Sequence, residues 1–220
     1  QQFQDQPGDL GVWWNVDKPG VDELSRQFRQ DALCQGTGPA FRKDSFDRVG
    51  RWDQTLTLWQ DIDLFFRLFI QEYRYAKFFH LPADVHIREF RGSISRSDFY
   101  ARHKMESRFK VVTTAVRMLV ENGMGGRVRE ARFMTTELID GSWRANHFDL
   151  AGELSLWAVE NGVLTARECR ILRLLHWARR SRLERFRSVS NWFARMLTSV
   201  QCSRSTIGRV ALSEPAVALP

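Results

Sequence analysis

Apolar positions recur at two spacings along this chain, and the spacing changes near its middle. From Val21, the residues Leu24, Phe28 and Ala32 return at helical intervals, and Gly36-Thr37-Gly38-Pro39 ends the run. Ala40 to Phe46 predicts a strand passing into a short helix or turn, and Arg51 to Leu58 a loop that reaches Trp59. Leu64, Phe65, Leu68 and Phe69 then share one stripe, with Asp63 and Arg67 spaced i,i+4 beside it. That pattern predicts an amphipathic helix from about Asp61 to Glu72. Tyr75 to Leu81, closed by Pro82, and Val85 to Phe90, before Gly92, predict two further extended pieces. Beyond Ser97 helical stripes dominate: Phe109, Val112, Ala115, Val116 and Leu119, then Leu150, Leu154, Trp157 and Ala158. Gly123 to Gly126 and Gly162 are predicted helix stops, and Thr165-Ala166-Arg167-Glu168 a capping box opening the next helix. Residues 1–20 are polar and turn-rich around Val12-Trp13-Trp14, a short predicted strand, and Ser203 to Pro220 shows no period and is expected to fray.

Composition narrows the class without choosing a function. The chain has 220 residues of which 43% are apolar, enough to bury a core in one domain or a domain with an appendage. Its formal charge of +7 draws it toward anionic partners and does not say which. Three cysteines, Cys34, Cys169 and Cys202, stand far apart and form no Cys-x-x-Cys pair, so neither a disulfide framework nor a zinc knuckle is indicated, and a reducing cytosol fits best. The most apolar run, Val111 to Val120, is broken by Arg117 and falls short of the roughly 20 residues of a membrane span. The sequence opens at Gln1 with neither a basic nor an apolar leader region, which predicts a fragment of a longer product without a signal peptide.

The segment with most chemistry is Phe41-Arg42-Lys43-Asp44-Ser45-Phe46-Asp47-Arg48-Val49-Gly50-Arg51-Trp52-Asp53, followed by Trp59-Gln60-Asp61-Ile62-Asp63-Leu64 and Arg67-Leu68. It sets two carboxylates at the mouth of an apolar helix. A carboxylate there can deprotonate a hydroxyl as that oxygen attacks an electrophilic carbon, if the hydroxyl lies within hydrogen-bond reach. On spacing alone, capping of the helix is the commoner fate of such an Asp. Asp63 has an i,i+4 partner in Arg67, so a salt bridge and acceptor binding both stay open. Trp59 could stack on a sugar face or belong to the core.

Over roughly residues 36 to 95 the stretch resembles the acceptor half of family 2 glycosyltransferases of the GT-A fold. Members carry small-Gly, Phe-Arg-Arg, Val-Gly-Phe-Asp-Glu, Trp-Gln-Asp-Trp-Asp-Leu and Arg-Leu. The resemblance implies that Asp61, second in Gln60-Asp61, is the catalytic base, and that Gly36, Arg42, Trp59, Gln60, Asp63, Arg88, Ser93 and Ser95 bind acceptor or donor. Members also carry Arg-x-His-x-x-Ser-x-Ser; Arg88, Ser93 and Ser95 match it, Phe90 stands where the His is usual, and His86 lies two residues before Arg88. In the family the metal-binding Asp-x-Asp ends an upstream strand, so Asp61-Ile62-Asp63 is not taken as a metal site. The expected fold is α/β: a partial GT-A-like acceptor half over 1–98, a helical appendage over 99–202 and a flexible tail over 203–220.

The implied reaction is inverting transfer of a sugar from a nucleotide sugar to a hydroxyl of a glycan or lipid-linked acceptor. The whole enzyme would use a divalent cation, Mn or Mg, which this chain alone would not bind; the chain alone is expected to be weakly active or inactive. The alternative is a non-catalytic module, a remnant or split subunit that binds an acceptor or partner. The C-terminal arginines, Arg170, Arg173, Arg179, Arg180, Arg182, Arg185, Arg187 and Arg195, alternate with Leu172, Leu175, Leu183, Phe186, Val189, Phe193 and Met196. A solvated helical face, an anionic membrane surface met with Trp177, Trp192 and Phe193, and nucleic acid compete as readings. No nucleic-acid motif accompanies the charge, and the expected location is cytoplasmic, with peripheral attachment to the inner membrane face as its extension.

Overall fold

A computed structural model describes residues 20–31, 38–77, 98–181 and 187–201. The chain divides into two compact units, residues 1–134 and 135–220, with the boundary inside α5 (Arg132–Arg144). The first unit holds α1 (Glu23–Phe28), α2 (Lys43–Arg48), α3 (Gln60–Ile70), α4 (Arg102–Glu121) and a 3-10 turn over Gly125–Ala131. The second holds most of α5, then α6 (Phe148–Glu160), α7 (Ala166–Arg180) and α8 (Arg187–Gln201).

Most of the apolar stripes read from the sequence become the core of the first unit, though Leu68, Phe69 and Phe109 are only half-buried and Phe66 and Ile70, outside the read stripe, are buried. Leu24 and Phe28 of α1, Leu64, Phe65, Phe66 and Ile70 of α3, and Val112, Ala115, Val116 and Leu119 of α4 are all buried. Phe28 and Phe66 meet with ring centroids 4.4 Å apart, joining α1 to α3. Asp22 caps α1 by accepting the Ser25 N–H at 3.0 Å, and the 3-10 turn is tied back to that cap by Arg127, which donates to Asp22 at 2.7 Å and to Glu130 at 2.7 Å. The Gly123 stop of α4 takes φ +74°, a left-handed conformation that costs glycine nothing.

In the second unit the capping box forms as predicted: the Glu168 N–H donates to Thr165 Oγ1 at 3.2 Å and the Thr165 N–H to the Glu168 carboxylate at 2.7 Å. α6 packs on α7, with Leu150, Leu154, Leu172 and Leu175 all buried, and the lone described cysteine, Cys169, is buried with a free thiol 3.7 Å from the Ser155 carbonyl of α6. No helix among the described residues is long and apolar enough to cross a membrane.

The α/β expectation is overturned, because the described residues are mostly helical and contain no strand. The stretch expected as a strand from Ala40 is extended only to Arg42, and α2 begins at Lys43. Two i,i+4 pairs, Lys43 with Asp47 at 3.0 Å and Asp44 with Arg48 at 3.4 Å, favour the helix. Packing decides the matter. In a strand Phe41 and Phe46, five residues apart, would face opposite sides, whereas here their rings lie 5.7 Å apart and share Trp52. Tyr75 to Lys77 is likewise held by side chains rather than a sheet ladder, since the Tyr75 hydroxyl and Lys77 both engage Glu23. Residues 78–81 of that predicted strand lie outside the described residues, as do the strands expected at Val12 to Trp14 and Val85 to Phe90 and the tail from Ser203.

Candidate functional site

The turn before α3 is built from backbone that few residues adopt. Gly50 has φ +91°, Arg51 φ +57° and Trp59 φ +67°. A side chain at Gly50 would be strained by that φ, and its Cβ would stand 3.4 Å from Arg67 Nη1. Arg67 spends its guanidinium here: Nε and Nη2 donate to Asp63 Oδ2 at 2.9 and 2.7 Å, Nη1 to the Val49 carbonyl at 2.5 Å, and Nη2 to the Arg51 carbonyl at 2.6 Å. One residue thus staples α3 to the loop that feeds it. Asp63 is only 5% exposed, and burial pushes its carboxyl above the ordinary carboxylate value while the Arg67 charge opposes the shift.

A second set of ties comes from α4, some fifty residues on. Ser107 Oγ accepts the Thr57 and Leu58 N–H groups at 3.1 Å each and donates to the Leu58 carbonyl at 2.8 Å. Lys110 donates to Asp53 Oδ2 at 2.7 Å, and Asp53 Oδ1 accepts the Thr55 N–H at 2.8 Å. The Arg108 guanidinium stands 5.6 Å from the Trp59 ring centroid and 4.1 Å from that of Phe99. Burial pushes Arg108 down to about 10, so it remains a cation at neutral pH. None of these α4 partners was singled out from sequence; the spacing of Ser107 and Lys110, one turn apart, was the available signal.

Asp61 sits in the first turn of α3, half-buried, with Oδ1 accepting the Ile62 N–H at 2.9 Å. Gln60 Nε2 donates to the Leu56 carbonyl at 2.8 Å, which fixes the residue next to it. Trp59 is 9% exposed and sits beneath Arg108, so its ring packs within the protein. Arg42 is extended and solvent-facing, 3.7 Å from Asp44. Gly36, Arg88, Ser93 and Ser95, together with His86 and Phe90, lie outside the described residues. The structure therefore gathers Trp59, Gln60, Asp61 and Asp63 at one helix end, while Arg42 stands exposed at the N-terminus of α2 and is paired with Asp44.

Every other aspartate of the segment is neutralised. Asp44 pairs with Arg42 and Arg48, Asp47 with Lys43 and Arg51, Asp53 with Lys110 and Asp63 with Arg67, while Asp61 has no cationic partner among the described residues. Since Asp63 is committed to Arg67, the Asp61-x-Asp63 pair does not fit a divalent cation, and no other described cluster of His, Cys, Asp or Glu does. A cavity of about 520 Å³ opens at the opposite end of α3, lined by Asp22, Glu23, Phe69, Tyr73, Tyr75 and Arg127 among others. The rise of an α-helix puts that end on the order of 12 Å or more from Asp61, so cavity and carboxylate are separate features.

Asp53 gives a pH-dependent readout of how the loop is held. Hydrogen bonds from Lys110 and Thr55 hold its carboxyl at about 2, well below the usual carboxylate range. A depressed carboxylate adds stability above its unfolded pKa and loses it as pH falls toward the folded value, here from about 4 to about 2. Lys110 is half exposed, so solvent screening reduces the effect to about 1 kcal/mol. The unfolding free energy of the parent chain, from urea curves, should drop through that window by about this much more than that of Lys110→Met; parallel pH profiles would show the pair contributes nothing.

No family model, no curated protein and no solved structure matches the chain.

Proposed function

We propose that this chain carries the acceptor-side base of an inverting sugar transfer, as its resemblance to family 2 glycosyltransferases implies, with Asp61 as that base. The observation behind it is that Asp61 alone among the aspartates from 44 to 63 lacks a cation among the described residues. A paired carboxylate would have to break its ion pair to accept a proton. In the step, the acceptor oxygen forms a bond to the anomeric carbon, the bond from that carbon to the leaving phosphate oxygen breaks, and the hydroxyl proton passes to Asp61. The nucleoside diphosphate departs with its electron pair, and one displacement inverts the centre. Arg67 and Ser107 do not touch substrate; they position α3 and its loop. The donor is a nucleotide sugar and the acceptor a glycan or lipid-linked hydroxyl. This assignment rests on the motif and its local geometry and takes nothing from an α/β architecture.

The test is transfer of sugar to a hydroxylated acceptor, followed as released nucleoside diphosphate, by the polypeptide that carries this chain. Release that requires Asp61 and tolerates loss of Asp53 supports the base; release indifferent to Asp61 removes it.

The cavity at the far end of α3 favours a second reading, a non-catalytic module that binds an acceptor or a partner chain away from Asp61. Titration with a nucleoside diphosphate and manganese separates the two. Binding of an acceptor glycan that Tyr75→Ala abolishes and Asp61→Asn leaves intact, with no transfer, would establish the module.

A further inference from the structure

The outward face of α7 does not look like an ordinary solvated face. Cys169, Leu172, Leu175 and Ala178 form its buried side. Directly opposite, at i, i+4 and i+7, come Arg170, Leu174 and Trp177, and Leu174 is 57% exposed and Trp177 60% exposed. Arg167, Arg173 and Arg180 are exposed around them. None of these four arginines has a carboxylate partner among the described residues. The helix contains one acid, Glu168, and it is occupied by the capping box away from this stripe. Leu172 and Leu175, which the sequence pattern set against the arginines without deciding between core and partner, are core.

We propose that this face of α7 binds the surface of an anionic lipid bilayer, with Trp177 and Leu174 entering the interface and Arg167, Arg170, Arg173 and Arg180 meeting lipid phosphates. A large indole and a leucine held in water at the centre of a cationic ring lose apolar exposure only where the anionic partner also has an apolar layer. Indole suits the headgroup level, where its ring is half solvated, and long arginine side chains reach sideways to phosphate. A nucleic-acid duplex would satisfy the arginines and leave Leu174 and Trp177 in water. Docking in the plane of the bilayer needs no membrane-spanning helix. The proposal is independent of whether Asp61 is a base.

The test is sedimentation of the full chain with sucrose-loaded vesicles of phosphatidylglycerol mixed with phosphatidylcholine, against pure phosphatidylcholine vesicles and a short DNA duplex. The chain should bind the anionic vesicles at low salt, bind pure phosphatidylcholine far less, and be partly released by high salt. Arg170→Gln and Arg173→Gln should each weaken partitioning about fivefold, and Trp177→Ala with Leu174→Ala about tenfold or more. Both residues are exposed, so circular dichroism should be unchanged. Arg117→Gln, on α4 of the first unit, removes the same unit of charge and should change little. Equal losses for Arg117→Gln and Arg170→Gln would reduce the effect to net charge and overturn the proposal. Failure to bind anionic vesicles would also overturn it, as would duplex binding that the Trp177 and Leu174 substitutions leave intact.

Discussion

Asp61→Asn should lower the rate of sugar transfer by about a thousandfold, within the range a positioned general base contributes, and leave the KM for the nucleotide sugar near its parent value. Asn keeps the shape of the side chain and an oxygen that can accept the Ile62 N–H, now made by Asp61 Oδ1 at 2.9 Å, so the first turn of α3 is retained. What it loses is a site for the proton. Loss of the negative charge near the helix N-terminus costs about 0.5 kcal/mol of stability, too little to explain a rate change of that size. Asp53→Asn serves as the comparison, because it removes a carboxylate from the same loop that is already held by Lys110 at 2.7 Å and should weaken the fold slightly without touching the rate. A helix-capping role predicts the opposite pair of results: Asp61→Asn turning over like the parent, with only its urea midpoint displaced. That outcome ends the case for the base.

Much of the helical core could be read in the sequence because it repeats at a period the chain states locally. Leu24, Phe28, Leu64, Phe65, Val112, Val116, Leu154 and Leu172 were all placed by spacing and are all buried. The stops at Gly123 and Gly162 and the Thr165–Glu168 box were legible for the same reason, since cap chemistry is confined to a few neighbouring residues. The segment from Ala40 to Phe46, expected as a strand passing into a short helix or turn, is extended at Arg42 and helical from Lys43; where the one gives way to the other was not legible because so short a segment does not separate the two by periodicity. Its state was set by Phe41, Phe46 and Trp52 meeting in space and by two i,i+4 ion pairs. The α/β expectation came from the resemblance together with short extended runs such as Tyr75 to Leu81 and Val85 to Phe90, most of which lie outside the described residues. Within the candidate site, Asp61 and the Asp63–Arg67 pair were visible because their spacing is local. Ser107 and Lys110 were not, since they grip Thr57 and Asp53 across about fifty residues of chain, and only the packing of α4 on α3 brings them there. The outward stripe of α7 was hidden for a related reason: sequence shows that Leu172, Leu174 and Leu175 are apolar, and packing decides which one faces water.

Arg67→Met should be the most damaging single change to the first unit, costing about 3 kcal/mol at neutral pH, because removing one partner of a buried ion pair strands the other. Asp63, 5% exposed, would keep no compensating cation, and the carbonyls of Val49 and Arg51 would lose donors now at 2.5 and 2.6 Å. The pH dependence identifies the cause. Burial already raises the Asp63 pKa, with Arg67 opposing it; without Arg67 the folded-state value rises further above the unfolded one. A carboxyl with a raised folded pKa destabilises increasingly as pH climbs past its unfolded value and is harmless once protonated in both states. The deficit of Arg67→Met should therefore be largest at neutral pH and shrink below about pH 4. Asp63→Leu combined with Arg67→Met removes both charges and should recover more than half of the neutral-pH loss, the remainder being the two carbonyl bonds. Urea unfolding of the three variants across pH tests this. A deficit for Arg67→Met that is under about 1 kcal/mol, or flat with pH, would mean the pair is solvated and does not hold the turn. If the deficit behaves as expected, the rate of transfer should fall with it, since the staple from Arg67 to Val49 and Arg51 is what fixes the approach to α3 and thereby the place where Asp61 meets a hydroxyl.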